Sequence, residues 1–416
     1  MAIISILSEA KKVYQNKGIR FLVTRAIKRI FRIPMYIAAT VLTKLIGRDE
    51  RIWIFSDFPS GQPFSQNRKY LFLYLADEYN GNVRPIWLTS DEDFHEKLSQ
   101  DGYEVYNSSS IRAKYYSLRA KYAPIDSSPG AIPWAYTGGA TVIQMGHGIP
   151  LKTNLSSGDS WLERMISWKS ADYAVFSSKA EKRHFQEYVE ADSGSERGWI
   201  NNRLSAPHTL YTGYPKTDAI MNAVPKRADP KTFKTDLSIE DQFSCTIGYF
   251  PTRREGHGLN LDEIIDVAQI EEVLRQNEAT LLIKPHRQLS LNRNIIQSER
   301  IHSVEPDVDS HDFLTEVDIL ITDYSSIFFD FLFLNRPIIF FVPDYSIYED
   351  IRGVHPNYEN VLAGPQVNNI DELPKCIESI ANNSNKYKEQ RQEVLHRFFE
   401  YIDGNASKRI VEAVIS

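Results

Sequence analysis

Cysteine is nearly absent from this chain: 416 residues contain two, Cys245 and Cys376. They lie far apart and match no metal-ligand spacing, which argues against a disulfide framework or a thiolate metal centre and suggests a reducing compartment. Long apolar runs are lacking too. The stretch 33–46 is apolar but interrupted by Lys44 and falls short of the roughly 20 residues that a spanning helix requires. The basic residues lie inside and after the first apolar segment, with no cleavage-like site behind them, so a secretory signal is not expected either. Internal repeats and low-complexity tracts are missing. Acidic residues are missing locally: between Lys11 and Arg48 there are ten Lys or Arg and no Asp or Glu, in a chain of net charge −6, so the remainder carries −16.

That basic end is informative. Lys11, Lys12, Lys17, Arg20, Arg25, Lys28, Arg29 and Arg32 interleave with Ile19, Phe21, Leu22, Ile27, Ile30 and Phe31, the pattern of a basic amphipathic helix. For residues 1–48 the pattern leaves two readings: attachment to an anionic membrane surface, peripherally and at its cytoplasmic face, which is the expectation, and a solvated or domain-packing helix pair. Nucleic acid is not an expected partner, because the acidic remainder would be repelled. The rest, in a chain that is 42% hydrophobic and 25% charged, has an ordinary globular balance. The length calls for two domains.

From Arg51 onward, short β-rich runs alternate with segments of helical period, which predicts an α/β protein with parallel sheets. Expected strands are 51–56, 83–90, 122–127, 141–146, 173–177 and 209–213, then 245–250, 280–284, 301–304, 319–322 and 338–342. Several are continuous apolar runs, as for strands covered on both faces. The intervening 214–242 carries Pro215, Pro225 and Pro230 and reads as a helix and linker. The expected domains are 1–48, the membrane-surface segment; 49–220 and 221–382, two Rossmann-like lobes with a central cleft; and 383–416, a C-terminal helix that could cross back to the first lobe.

Ligands of open α/β sheets bind beyond the carboxyl ends of strands. Four clusters stand there. In the first, a strand runs into His147 between Gly146 and Gly148, followed by Lys152; an imidazole can accept a proton from a hydroxyl near neutral pH, and the lysine could hold an anion. The second delivers Lys284, Pro285, His286 and Arg287 to a sheet edge, a basic set suited to phosphate, although Lys284 could equally be paired with a carboxylate. The third passes from an apolar strand through Thr322, Asp323, Tyr324, Ser325 and Ser326 into an apolar helix, which reads either as an anion site or as helix capping. The fourth is Arg352 in an expected loop at 348–353, which could clamp phosphate oxygens or pair with a carboxylate. No carboxylate or cysteine set accompanies the histidines, so no metal is expected. The shared chemistry is phosphate.

These clusters, in this order, resemble the CDP-glycerol:poly(glycerophosphate) glycerophosphotransferase family. The resemblance rests on Trp53-Ile-Phe55, Asn67-Arg-Lys69-Tyr70-Leu-Phe72, His147-Gly-Ile-Pro-Leu-Lys152 and Thr212-Gly-Tyr-Pro-Lys216. It continues through Tyr249-Phe-Pro-Thr-Arg253, Pro285-His286, Leu320-Ile-Thr-Asp-Tyr-Ser-Ser326, Phe329-Asp330-Phe331, Arg352-Gly353 and Gly364-Pro365. Ile149 departs from it, standing where the first motif usually has a threonine.

The resemblance implies a GT-B fold with an acceptor lobe and a CDP-donor lobe, no cofactor and no catalytic metal. It also implies transfer of glycerol phosphate from CDP-glycerol to a hydroxyl of a lipid-linked or glycerophosphate acceptor, with release of CMP, in teichoic acid-like or capsule polymer synthesis. His147 and His286 become the catalytic candidates. Ser325, Ser326, Arg352, Thr322, Lys284 and Arg253 become candidates for the donor phosphates, and Lys152 and Gly148 for the acceptor or an anion. The alternatives are CDP-ribitol as donor, a GT-B glycosyltransferase using a nucleotide sugar, and an inactive membrane-bound partner.

Overall fold

The computed structural model describes residues 34, 36–57, 64–126, 136–152, 171–193, 207–223, 244–252, 254, 266–284, 298–305 and 308–416. His286, Arg253, Arg287 and residues 1–33 of the basic segment 1–48 lie outside them.

Two parallel sheets organise the chain. The first holds seven strands in the order β3-β2-β1-β4-β5-β6-β7: β1 Asp49–Ser56, β2 Arg84–Thr89, β3 Val105–Asn107, β4 Ala120–Ile125, β5 Thr141–Gln144, β6 Tyr173–Phe176 and β7 His208–Tyr211. The second holds six in the order β10-β9-β8-β11-β12-β13: β8 Cys245–Phe250, β9 Ala279–Ile283, β10 Ile301–Ser303, β11 Ile319–Thr322, β12 Ile338–Phe341 and β13 Gln366–Val367. In both, the order reverses beside the first strand in sequence, β1 or β8. Each sheet therefore has a switch point at the carboxyl ends of β1 and β4, or of β8 and β11, where neighbouring connections part to opposite sides.

The apolar runs explain the central strands. All residues of β9, β11 and β12 are buried, as in sheets covered by helices on both faces. Ile247, Leu281, Ile321 and Ile339 pack with Ile270, Leu274 and Ile377 of covering helices into one core. A separate core in the first sheet gathers Ile52, Ile54, Ile86, Leu88 and Ala123. All eleven expected strands form, with ends displaced by a residue or two. The two that were not expected, β3 and β13, are short edge strands.

By contacts the chain divides into two compact units, and the second takes in His147–Ser157, Val175–Arg203 and everything from Leu210 onward. In sequence the chain passes from one sheet to the other between β7 and β8, whereas the contact division already assigns the His147 loop to the second unit. Within that unit the C-terminal helices Lys388–Phe398 and Ala406–Ile415 pack on the helices Lys179–Ser193 and Pro215–Ala223. Asp218 accepts from the backbone N–H groups of Ala406 and Ser407 at 2.8 and 2.7 Å, which caps the last helix from a distant part of the chain.

Residues 36–46 form a helix. Its inner face carries Ala39 and Thr43, and the Thr43 hydroxyl donates to the Gly138 carbonyl at 3.1 Å. Its outer face exposes Ile37, Val41, Leu42 and Leu45. No helix among the described residues is long and apolar enough to cross a membrane.

Candidate active site

The second unit builds its site around 147–152. The His147 side chain is exposed, while Ile149 and Leu151 are buried and anchor the loop. Ile149 is thus an apolar anchor at the position where the resemblance would place threonine. Gly148 has φ +150°, and a Cβ there would stand 2.7 Å from the Ser326 hydroxyl oxygen. Only glycine fits both the backbone conformation and the close approach. That approach brings the His147–Gly148 peptide against the segment following β11.

The β11 segment is held by a buried electrostatic network. Asp323, fully buried, accepts from the Thr252 N–H at 2.9 Å, from the Thr252 hydroxyl and from Arg254 Nη1 at 2.8 Å. Arg254 also donates to both oxygens of Asp344, at 2.7 and 3.1 Å. Its guanidinium lies 5.1 Å from the Tyr324 ring and 4.9 Å from Tyr348, which themselves stack at 3.8 Å. Burial alone would lower the Arg254 pKa, but Asp323 and Asp344 outweigh it and hold the group charged.

Lys152 sits close enough to this network to feel it. Burial pushes its pKa down to about 8, Asp323 opposes the shift, and Arg352 and Arg254 reinforce it. Lys152 pairs with Val354 in an antiparallel bridge. Arg352 ends the helix Tyr345–Arg352, and Gly353 terminates it at φ +67°. This corrects the expected loop at 348–353: Tyr348 is buried on the inner face, and the helical spacing of Tyr345 and Tyr348 carries the pattern. Three cations, Lys152, Arg254 and Arg352, thus share a neighbourhood with two carboxylates, Asp323 and Asp344, leaving an excess of positive charge suited to phosphate.

Ser325 and Ser326 are half-buried. The Ser325 oxygen accepts from the Ile327 N–H at 3.3 Å, and Ser326 makes no capping bond to the helix that follows. That helix, Ile327–Phe331, is only five residues long and continues as a 3₁₀ turn, Leu332–Leu334. Two other expected phosphate ligands donate to backbone carbonyls. Thr322 is fully buried and donates to the Phe250 carbonyl at 3.1 Å. Lys284 is 4% exposed and donates to the Glu305 carbonyl at 3.1 Å. In both, a strand-end hydroxyl or ammonium satisfies a backbone carbonyl, as burial makes an unpaired polar group costly.

Beneath His147 lies a charge cluster that sequence reading did not single out as a site. Lys216 donates to Asp330 at 2.7 Å and to the His147 carbonyl at 3.3 Å. His311 Nε2 lies 3.0 Å from the same Asp330 oxygen. Burial would raise the Asp330 pKa, but Lys216 and His311 hold it below the ordinary carboxylate value. For His311, burial pulls down while hydrogen bonds to Asp309 and Asp330 prevail and raise it.

One group among the described residues brings potential metal ligands together: His184, Glu187 and His355, whose ligand atoms lie within 4.8 Å of one another. The two imidazoles are stacked face to face, 3.6 Å apart and 16° from parallel. In-plane lone pairs on parallel rings do not converge on one ion, so this geometry does not fit a shared metal.

The CDP-Glycerol:Poly(glycerophosphate) glycerophosphotransferase family matches residues 37–416, spanning both sheets and the whole site. The chain belongs to this family. A teichoic acid poly(glycerol phosphate) polymerase of Bacillus spizizenii is 27% identical over 404 residues, covering 93% of this chain and 98% of the relative. A teichoic acid glycerol-phosphate transferase of Staphylococcus aureus is 26% identical over 405 residues, with coverage of 94% and 100%. The solved structure of the wall teichoic acid polymerase TagF has a TM-score of 0.72 at 22% identity, covering 94% of this chain and 95% of that chain. This likeness shows the fold, and with the two parallel sheets it bears out the GT-B expectation.

In this glycerophosphotransferase the structure assembles His147, Gly148, Lys152, Ser326 and Arg352 within one unit. It adds Arg254, Lys216, Asp330 and His311. A signal for three of these was in the sequence: Arg254 adjoins Arg253 after a strand, and Lys216 and Asp330 belong to quoted motifs. His311 offered none.

Proposed function

We propose that this glycerophosphotransferase transfers glycerol phosphate from CDP-glycerol to a hydroxyl of a lipid-linked glycerophosphate acceptor, working peripherally at the cytoplasmic face of a membrane. The observation that carries the mechanism is the packing of the His147–Gly148 peptide against Ser326, next to Lys152, Arg254 and Arg352. The acceptor oxygen attacks the β-phosphorus of CDP-glycerol. A new P–O bond forms, the bond to the bridging oxygen breaks, and CMP leaves with that oxygen. The exposed His147 takes the hydroxyl proton as general base. Ser325, Ser326, Arg352 and Arg253 hold the pyrophosphate, Arg254 joins them as a fixed positive charge, and Lys152 and Gly148 face the transferred or accepting group. Such positioned charges stabilise a phosphoryl group in transit. His286 is the second catalytic group.

The membrane reading draws on the basic end of the chain and on the apolar outer face of helix 36–46.

The deciding experiment measures CMP release from CDP-glycerol, CDP-ribitol and UDP-sugars with a lipid-like glycerophosphate acceptor, in wild type and His147→Ala. Release from CDP-glycerol that is lost in the variant is the expected result. Release from CDP-ribitol alone would reassign the polyol, and turnover of a UDP-sugar alone would overturn the reaction.

A further inference from the structure

The loop bearing His147 is fastened by two histidines outside the phosphate-facing cluster. Pro150 and Leu151 each offer a backbone carbonyl. The first lies 2.8 Å from His184 Nε2, and the second accepts from the His355 backbone N–H at 2.8 Å. A carbonyl oxygen can only accept, so His184 carries its proton on Nε2. His355 Nε2 lies 3.1 Å from the His184 carbonyl, and its Nδ1 accepts from the Asn357 N–H at 3.0 Å, which fixes the same tautomer there. Each imidazole therefore spends its single N–H on a backbone carbonyl. Both rings are buried, they stack on one another, and Phe398 meets His184 edge-on at 5.4 Å.

We infer that the His184–His355 stack positions the 147–152 loop for transfer, so that both are positioning residues for the proton-accepting group. The inference rests on the reading of His147 as base. The stack holds the distal half of the loop, and Gly148 against Ser326 fixes the proximal half. His147 directly precedes the Gly148 contact, so the position of its ring follows the backbone of the loop. Freeing the Pro150 carbonyl lets that backbone move. A displacement of about 1 Å at a reacting group can cost on the order of 100-fold in rate without weakening substrate binding.

The test compares His184→Phe, which keeps an aromatic ring and loses the donor, with His184→Gln, which keeps an amide donor at similar reach. For the phenylalanine variant we expect kcat for CMP release to fall between about 10-fold and 100-fold, with KM for CDP-glycerol little changed. Amide hydrogen exchange in 147–152 should accelerate about tenfold, while exchange in β8 and β11 stays as in wild type. The glutamine variant should recover most of both. Wild-type kcat and wild-type exchange in His184→Phe would overturn the inference. So would a glutamine variant as impaired as the phenylalanine one, since packing alone would then explain the effect. If His184→Phe does not fold, His184→Gln decides: loop exchange must stay near wild type, and accelerated exchange overturns the inference. Should wild type release no CMP from CDP-glycerol, the functional reading fails, and loop exchange still tests the fastening by itself.

Discussion

Lys216 Nζ lies 2.7 Å from Asp330 Oδ2, and both side chains are almost fully buried. Such a pair is poor evidence of net stability, because taking both charges out of water offsets their attraction. Breaking it is another matter. Lys216→Met leaves a buried carboxylate with only His311 to balance it, and a loss of about 3–5 kcal/mol is expected. Urea denaturation reads it directly. Lys216→Met combined with Asp330→Leu should be less destabilised than the single variant, since no uncompensated carboxylate remains. Additive losses would mean that the pair is not coupled.

Gly148→Ala tests the contact that unites the loop with β11. The added Cβ would sit 2.7 Å from the Ser326 oxygen, on a backbone at φ +150°. Strain of this kind costs about 1–3 kcal/mol. It should appear as a displaced loop, with kcat for CMP release down at least tenfold and the melting temperature shifted by only a few degrees. Wild-type kcat would mean that the His147–Ser326 juxtaposition is not used.

Arg254→Lys addresses the fork between Asp323 and Asp344. Lysine retains the charge but cannot bond both carboxylates in plane or lie flat over Tyr324 and Tyr348. A destabilisation of about 2–3 kcal/mol is expected from the lost charged hydrogen bonds. CDP-glycerol should also bind more weakly, as calorimetric titration would measure. A neutral outcome on both counts would remove Arg254 from the donor site.

The membrane reading is best tested by substitution. Thr43 and Arg48 both bond the Gly138 carbonyl, so deleting residues 1–48 would damage the first unit as well as any membrane contact. Val41→Glu with Leu45→Glu changes only outward-facing residues, which are 57% and 80% exposed. Binding to anionic vesicles should weaken about tenfold or more, as expected for losing two inserted apolar side chains. Unchanged sedimentation with vesicles would exclude this face from the contact.

How much of this was legible in sequence follows from the range of the interactions. Central strands such as β9 and β11 announce themselves because burial on both faces demands an unbroken apolar run. The edge strands β3 and β13 carry no such demand and were missed. His147, Lys152 and Ser326 were legible because glycine and hydroxyl residues flank them at strand ends. For Thr322 and Lys284, sequence places the side chain at a strand end without showing which neighbouring carbonyl accepts from it, Phe250 or Glu305. His311, His184 and His355 were invisible, since beside any local partner each meets one that sequence does not place next to it: Asp330 for His311, Pro150 for His184 and His184 for His355, 19, 34 and 171 positions away.

The stacked histidines also make stability depend on pH. Burial, followed by repulsion from His355, pushes the His184 pKa down from 6.5 to about 4; the Pro150 hydrogen bond opposes this and Arg397 adds to it. Burial also lowers His355, while its bond to the His184 carbonyl and the charge of Glu187 resist. Both rings are therefore neutral in the folded protein near neutral pH and have ordinary affinity for protons when unfolded. Between about pH 6.5 and 4 the unfolded chain binds more protons at these positions than the native one, so stability falls as pH drops through that window. His184 alone accounts for roughly 3 kcal/mol across it. Substituting His184 with glutamine removes that titration. Urea midpoints at pH 7 and pH 5 should therefore converge in His184→Gln relative to wild type, and an undiminished difference would show that the acid sensitivity arises elsewhere.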